Sequence, residues 1–190
     1  MQSVKCVIVG DSGVGKTYLL HTYINKVFPR DYIPCFYGTY STEVHVDNQQ
    51  VSLTLWDSAG RDDYERFRQL SYNQADVIII CFSIANPTSS ENVKRKWYPE
   101  VKRHCPDVPF VVVGTKSDLR DDQEVLETLK KQNQTTVTQQ EGVTMANQIQ
   151  AAKYLECASS NQEGLNEVID EAVRAFLSHS VTTEKTCILM

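Results

Sequence analysis

Val4-Lys5-Cys6-Val7-Ile8-Val9-Gly10-Asp11-Ser12-Gly13-Val14-Gly15-Lys16-Thr17 joins a short apolar run to a glycine-rich turn and a Lys-Thr pair. The apolar run reads as a buried strand. Beyond the turn, Lys16–Asn25 places Leu19, Leu20 and Tyr23 at helical spacing. Gly10 to Thr17 matches G-x-x-x-x-G-K-[ST], and strand before with helix after is the context that gives this pattern a mechanism. The glycines let backbone N–H groups close around phosphate oxygens, and the helix N-terminus adds partial positive charge. Lys16 suits the β- and γ-phosphates, and the Thr17 hydroxyl suits Mg²⁺. The expected contacts here are Gly10, Asp11, Ser12, Gly13, Val14, Gly15, Lys16, Thr17 and the adjoining Tyr18.

Working outward, Phe28–Tyr40 is rich in aromatics and turn formers and reads as an ordered loop. Ser41–Val46 and Val51–Trp56 alternate in polarity, with Asp47-Asn48-Gln49 as the hairpin turn between them. Val77–Phe82 and Phe110–Val113 are continuous apolar runs, as in parallel strands buried on both faces. Lys153–Glu156 is a short final strand. Helical stretches fall at about Ser89–His104, Gln139–Gln150 and Leu165–Leu177, the last with Val168, Ile169, Ala172, Val173 and Phe176 on one face. Asp121–Thr138, polar but carrying Leu126 and Leu129, reads as an extra surface helix. The alternation predicts one α/β domain over about residues 1–178, a six-stranded mostly parallel sheet with helices on both faces. Residues 179–190 read as a flexible tail. Ligands in such sheets bind beyond the carboxyl ends of the strands. The functional loops are therefore expected after Gly10, Asp57, Gly114 and Cys157.

Composition narrows the function. A chain of 190 residues supports its own core without disulfides. A net charge of -5 argues against a nucleic-acid binder. The start shows neither a basic n-region nor a long apolar run, so no signal peptide is expected. No stretch reaches the ~18 apolar residues of a membrane span. The six cysteines include no Cys-x-x-Cys pair and fit a reducing, cytosolic compartment. The four histidines are scattered and read as ordinary side chains.

Two further motifs follow strands. Trp56-Asp57-Ser58-Ala59-Gly60 places an Asp at a strand end, where it binds a metal through water, and a Gly whose backbone N–H can approach a γ-phosphate. Asp-x-x-Gly alone is a common turn. Behind a phosphate-binding loop it carries more meaning. Thr115-Lys116-Ser117-Asp118-Leu119 follows the run Phe110–Gly114. A carboxylate at Asp118 accepts from the N1 and N2 groups of guanine, a donor pair that adenine lacks, so GTP or GDP is the expected nucleotide. The Lys116 stem can lie over the base plane. Cys157-Ala158-Ser159 is expected to offer a backbone N–H to the base. Cys187-Ile188-Leu189-Met190 reads as a prenylation box, Met being a farnesyl-type ending, although farnesyl and geranylgeranyl both stay open. One lipid chain gives marginal membrane binding. Lys185 beside Glu184 is a weak second signal.

In this order the motifs resemble the Ras superfamily. Trp56, Asp63-Tyr64, Ser71-Tyr72, Trp97-Tyr98-Pro99-Glu100-Val101 and Tyr154-Leu155-Glu156-Cys157 resemble its Rho branch, closest to Rac. Thr115 and the segment Asp121–Thr138, at the place of the Rho insert helix, point the same way. The resemblance implies a GTP/GDP switch with Mg²⁺, exchange factors, GTPase-activating proteins, effectors and a dissociation inhibitor. It implies a monomer at the cytoplasmic face of the plasma membrane and a role in cytoskeletal regulation. Phe28 corresponds to the aromatic that packs edge-on against guanine, and Ala158 and Ser159 to base contacts. Residues 28–40 form the first switch and 58–72 the second. Tyr32, Pro34, Cys35, Phe36, Tyr37, Gly38 and Tyr40 form the effector region.

Three departures stand at the γ-phosphate. The family usually has Gly at Ser12, Thr at Cys35 and Gln at Arg61. The Gln orients the attacking water. Arg61 has donors and no acceptor, so it cannot take a hydrogen from that water. Ser12 adds bulk where an arginine finger packs. A protonated thiol at Cys35 is a poor ligand for hard Mg²⁺. Slow hydrolysis favours the GTP state, whereas a weakened first switch loosens it. Tyr37 and Gly38 also depart from Rac, which has Phe and Asp there. The readings are a partner-assisted hydrolysing switch, a GTP-holding adaptor that turns over poorly, and, disfavoured by Thr115–Asp118 and the prenylation box, a P-loop metabolite kinase.

Overall fold

The computed structural model describes residues 1–33 and 38–188, with side chains to residue 180. The described strands are β1 (Gln2–Gly10), β2 (Thr39–Val46), β3 (Gln49–Asp57), β4 (Val77–Ser83), β5 (Phe110–Thr115) and β6 (Tyr154–Cys157). They form a six-stranded sheet in the order β2-β3-β1-β4-β5-β6. β2 runs antiparallel to β3 and the remaining pairs are parallel. From β1 the chain goes to one side of the sheet for β2 and β3, then crosses to the other for β4. That reversal opens a crevice at the carboxyl end of β1.

Period-two alternation splits the strand side chains between two cores. Val4, Cys6 and Ile8 of β1 and Val77, Ile79 and Cys81 of β4 face α1 (Lys16–Asn25) and α7 (Leu165–Ile188). There they meet Leu19, Leu20, Val168, Ile169 and Val173. Val7, Val9, Ile78, Ile80 and Phe82 point the other way, onto Val93, Trp97, Val101 and Met145. Those belong to the helical stretch from α3 (Pro87–Asn92) through α4 (Tyr98–His104), and to α6 (Gln139–Gln148). The continuous apolar runs are continuous because both faces are covered.

Several boundaries differ from the expectations. The hairpin turn is the pair Asp47-Asn48, both at positive φ, as a two-residue connection requires, and Gln49 already belongs to β3. The stretch read as one helix over Ser89–His104 starts earlier, at Pro87, where the Asn86 side chain accepts from Ser89 N. It widens into a π-helical turn over Val93–Trp97. Pro99, just beyond, has no N–H to continue the α-helical ladder. The segment Asp121–Thr138 is helical only as α5 (Gln123–Lys131), capped by Asp122. Beyond it, Val137 N bonds to Ile84 O at 3.0 Å, drawing the chain back onto the body. α2 (Glu65–Ser71) was not anticipated. α7 continues as helix to Ile188, where the sequence reads as flexible tail from residue 179. Among the described residues, no helix is long and apolar enough to cross a membrane.

Candidate functional site

The loop leaving β1 is closed by its own lysine. Gly10 stands at φ +146, and a Cβ there would lie 2.2 Å from the Cys81 carbonyl oxygen of the neighbouring strand. Lys16 is buried, and its Nζ donates to the carbonyls of Gly10 and Asp11, each at 2.8 Å. Val14 is buried, and its carbonyl accepts from the Thr115 hydroxyl at 2.5 Å. The same hydroxyl lies 2.9 Å from Phe82 O, so one side chain pins the loop to β4 and β5. Asp11 does not face the crevice. Its carboxylate lies behind the loop, accepting from Trp97 Nε1 at 2.7 Å and Asn92 Nδ2 at 2.6 Å. The side chains of Asp11 and Val14 thus point away from the crevice, and what Gly10, Asp11 and Val14 could offer a phosphate is backbone. Ser12, Gly13, Gly15, Lys16 and Thr17 line the crevice.

Thr17 and Asp57 meet across α1 and β3. The Thr17 hydroxyl donates to Asp57 Oδ2 at 2.5 Å, which leaves the Thr17 oxygen lone pairs to face a cation. Burial pushes the Asp57 carboxyl up to about 6, against the Thr17 bond, the Lys16 charge and the Ser58 backbone, which pull it down. This all-oxygen pair suits a hard divalent cation that takes its other ligands from phosphate and water. Gly60 crosses directly over the loop: a Cβ on it would stand 2.3 Å from Ser12 N. No side chain fits there, so backbone is what this residue presents to the loop.

At the other end, Lys116 adopts a left-handed backbone and reaches Gly13 O with Nζ at 2.8 Å. Burial lowers its pKa against the pull of Asp118. Asp118 accepts from Ser160 Oγ at 2.8 Å. The Phe28 ring packs tilted on Tyr18, with centroids 5.5 Å apart. Of the segment Cys157-Ala158-Ser159 expected to offer a backbone N–H, Ala158 is fully buried with its N–H on Glu163 O at 2.9 Å. Ser159 lines the crevice, and Ser160 does so beside it.

These ends share one cleft of about 650 Å³, within the range of ligand pockets. Tyr18, Phe28, Tyr32, Gly60, Arg61, Thr115, Lys116, Asp118 and Leu119 all line it. Arg61 stands at the rim, its guanidinium on Asp63 at 2.8 Å in an exposed pair. Gly38 and Tyr40 lie to the side, where Gly38 O accepts from Asp57 N at 2.8 Å and Tyr40 pairs with Leu55. Pro34, Cys35, Phe36 and Tyr37 fall outside the described residues, as does the Cys187 side chain.

The structure adds residues that the sequence did not single out. Ser160 is one, detectable only as a polar residue following Cys157-Ala158-Ser159. Arg68 is another, fully buried, with a bidentate bond to Glu100 (2.6 and 2.9 Å) and a bond to Ala59 O at 2.9 Å. Lys96 bonds Asp62 at 2.5 Å and approaches Gly60 O at 3.4 Å. Together these cations hold the strip from Ala59 to Asp62 against the π-helical turn. A family model described as the Ras family matches residues 5–178, from within β1 into α7, and the chain therefore belongs to the Ras family of small GTP-binding switches.

Proposed function

We propose that the chain is a Rho-type, Rac-like switch that binds GTP or GDP with Mg²⁺ and hydrolyses GTP slowly. The observation that carries the reading is one cleft with a lysine-closed loop at one end and Asp118 at the other, with Arg61 at its rim. Lys16 and the loop N–H groups would take the phosphates, and Thr17, with Asp57 acting through water, would hold Mg²⁺. Magnesium, when bound, neutralises phosphate charge. Asp118 accepts from the guanine edge, Lys116 covers the base, and Phe28 packs against it edge-on. Arg61 lacks an acceptor for the attacking water, and Ser12 occupies space at the same end. Both substitutions support slow turnover.

Trp56, Trp97, Glu100 and the position of α5 support the Rho reading. With it come Rho-type exchange and activating proteins, effectors and a role in cytoskeletal regulation. Tyr37 and Gly38 set the effector choice apart from Rac's. Prenylation at Cys187 would place the protein at the cytoplasmic face of the plasma membrane.

The test takes freshly purified full-length protein, identifies its nucleotide, and follows single-turnover hydrolysis with and without a Rho-type activating protein. Guanine nucleotide, slow turnover and little stimulation are expected. Brisk stimulated turnover overturns slow hydrolysis, and ATP that displaces GTP overturns the guanine reading. The adaptor reading is the same site with turnover near zero, and the rate itself separates the two.

A further inference from the structure

The loop between β6 and α7 is tightly built. Ala158 bridges to Glu163, Glu163 N donates to Asn161 Oδ1 at 3.0 Å, and Gly164 turns the chain at φ +72. A Cβ at Gly164 would lie 2.3 Å from Glu156 O. Gln162 Nε2 donates to Lys26 O at 3.1 Å, fastening the loop to the segment that carries Phe28. Within this loop Ser160 points its hydroxyl at Asp118 Oδ2, 2.8 Å away, and both residues line the cleft.

We propose that Ser160 is a positioning residue for base recognition, holding the Asp118 carboxylate so that both oxygens face a purine with two adjacent N–H donors. The proposal rests on the guanine reading above and deepens it. Asp118 is exposed, and the terminal torsion of an Asp is broad. A carboxylate that must accept from two donors at once needs one orientation, whereas one that accepts from a single donor tolerates rotation. A carboxylate has about four lone-pair sites, so Ser160 can use one on Oδ2 and leave another for the base. A charge-assisted bond from a rigid loop supplies the restraint. Because the loop is closed by its own bonds, Ser160 keeps its place without the base.

The consequence is selective. Guanine has both donors, whereas hypoxanthine keeps N1–H and lacks the 2-amino group. Equilibrium dissociation constants of GDP and IDP, with Mg²⁺, are measured for the full-length parent, Ser160→Ala and Ser160→Thr. Ser160→Ala is expected to weaken GDP about tenfold and IDP about twofold, so that the preference falls about fivefold. Ser160→Thr restores it, and the melting temperature stays that of the parent. Equal losses for both nucleotides mean a structural role only and overturn the proposal. So does an unchanged preference in Ser160→Ala, and so does a parent that binds IDP as tightly as GDP. A parent that binds ADP as well as GDP overturns the guanine reading itself, and the proposal with it.

Discussion

At the scale of single residues, one end of the cleft combines the residues of the phosphate-binding motif with two departures from the family pattern. Lys16 and Thr17 open a helix and Asp57 ends a strand, which is why two short motifs in that context pointed to them. Arg61 and Ser12 line the same cleft, and the slow hydrolysis proposed above rests on them. The exposed Arg61–Asp63 pair, with side chains 66% and 70% accessible, contributes about 0–1 kcal/mol, so replacing Arg61 leaves stability nearly unchanged. Arg61→Gln with Ser12→Gly is therefore expected to raise single-turnover GTP hydrolysis by at least about tenfold, near 1.4 kcal/mol of barrier. A flat rate would show that these two sites do not limit the chemistry. Thr17→Ala should remove the metal's protein hydroxyl. Nucleotide release from the parent should quicken when a chelator strips Mg²⁺, while release from Thr17→Ala should already be fast and barely respond. Chelator sensitivity equal to the parent's would separate Thr17 from the metal. Sequence could not place Asp11 or Ser160, because both roles depend on which neighbour the side chain meets, Trp97 behind the loop or Asp118 across it.

At the scale of elements, the strands were legible because burial on both faces leaves uninterrupted apolar runs, as in Val77–Ser83. α2 was not, since Glu-Arg-Phe-Arg-Gln-Leu-Ser leaves Phe67 and Leu70 exposed while it buries Arg68. A buried arginine follows from the partner it finds, and that partner, Glu100, is 32 positions away. Tyr72 adds a bond to the same carboxylate at 2.7 Å. Burial alone would raise the Glu100 pKa, but the Arg68 and Tyr72 bonds outweigh it and lower it below the ordinary value. A carboxylate with a depressed folded pKa contributes stability that is present above its unfolded pKa and is lost as pH falls through the folded one. Glu100→Ala leaves Arg68 buried without its partner and should cost about 3–5 kcal/mol near neutral pH. The gap between parent and variant, from urea melts, should narrow as pH falls below about 4.5. A gap constant down to pH 3 would mean the pair acts through packing alone.

At the scale of the whole molecule, the nucleotide cleft lies at the carboxyl ends of the strands, while α7 carries the backbone from the sheet out to Ile188. The length of α7 was not legible, because the residues past Ser178 are polar and carry no apolar stripe that would mark a helix packed on a core. The same polarity bears on anchoring. The chain is net -5, and its last residues offer Lys185 beside Glu184 as their basic contribution. A basic residue near an anionic surface is worth about 1 kcal/mol, and a single lipid chain alone gives an affinity on the order of 10⁴ M⁻¹. A protein prenylated at Cys187 should therefore float only partly with vesicles of phosphatidylcholine and phosphatidylserine. That fraction should change little between low and high salt, since no polybasic patch is there to be screened. Cys187→Ser should abolish flotation. Replacing Thr182, Thr183 and Glu184 with lysine should restore tight, salt-sensitive binding to the prenylated form. Flotation that survives Cys187→Ser would place the anchor elsewhere, and strong salt dependence in the parent would assign the surface charge a role that its tail composition argues against.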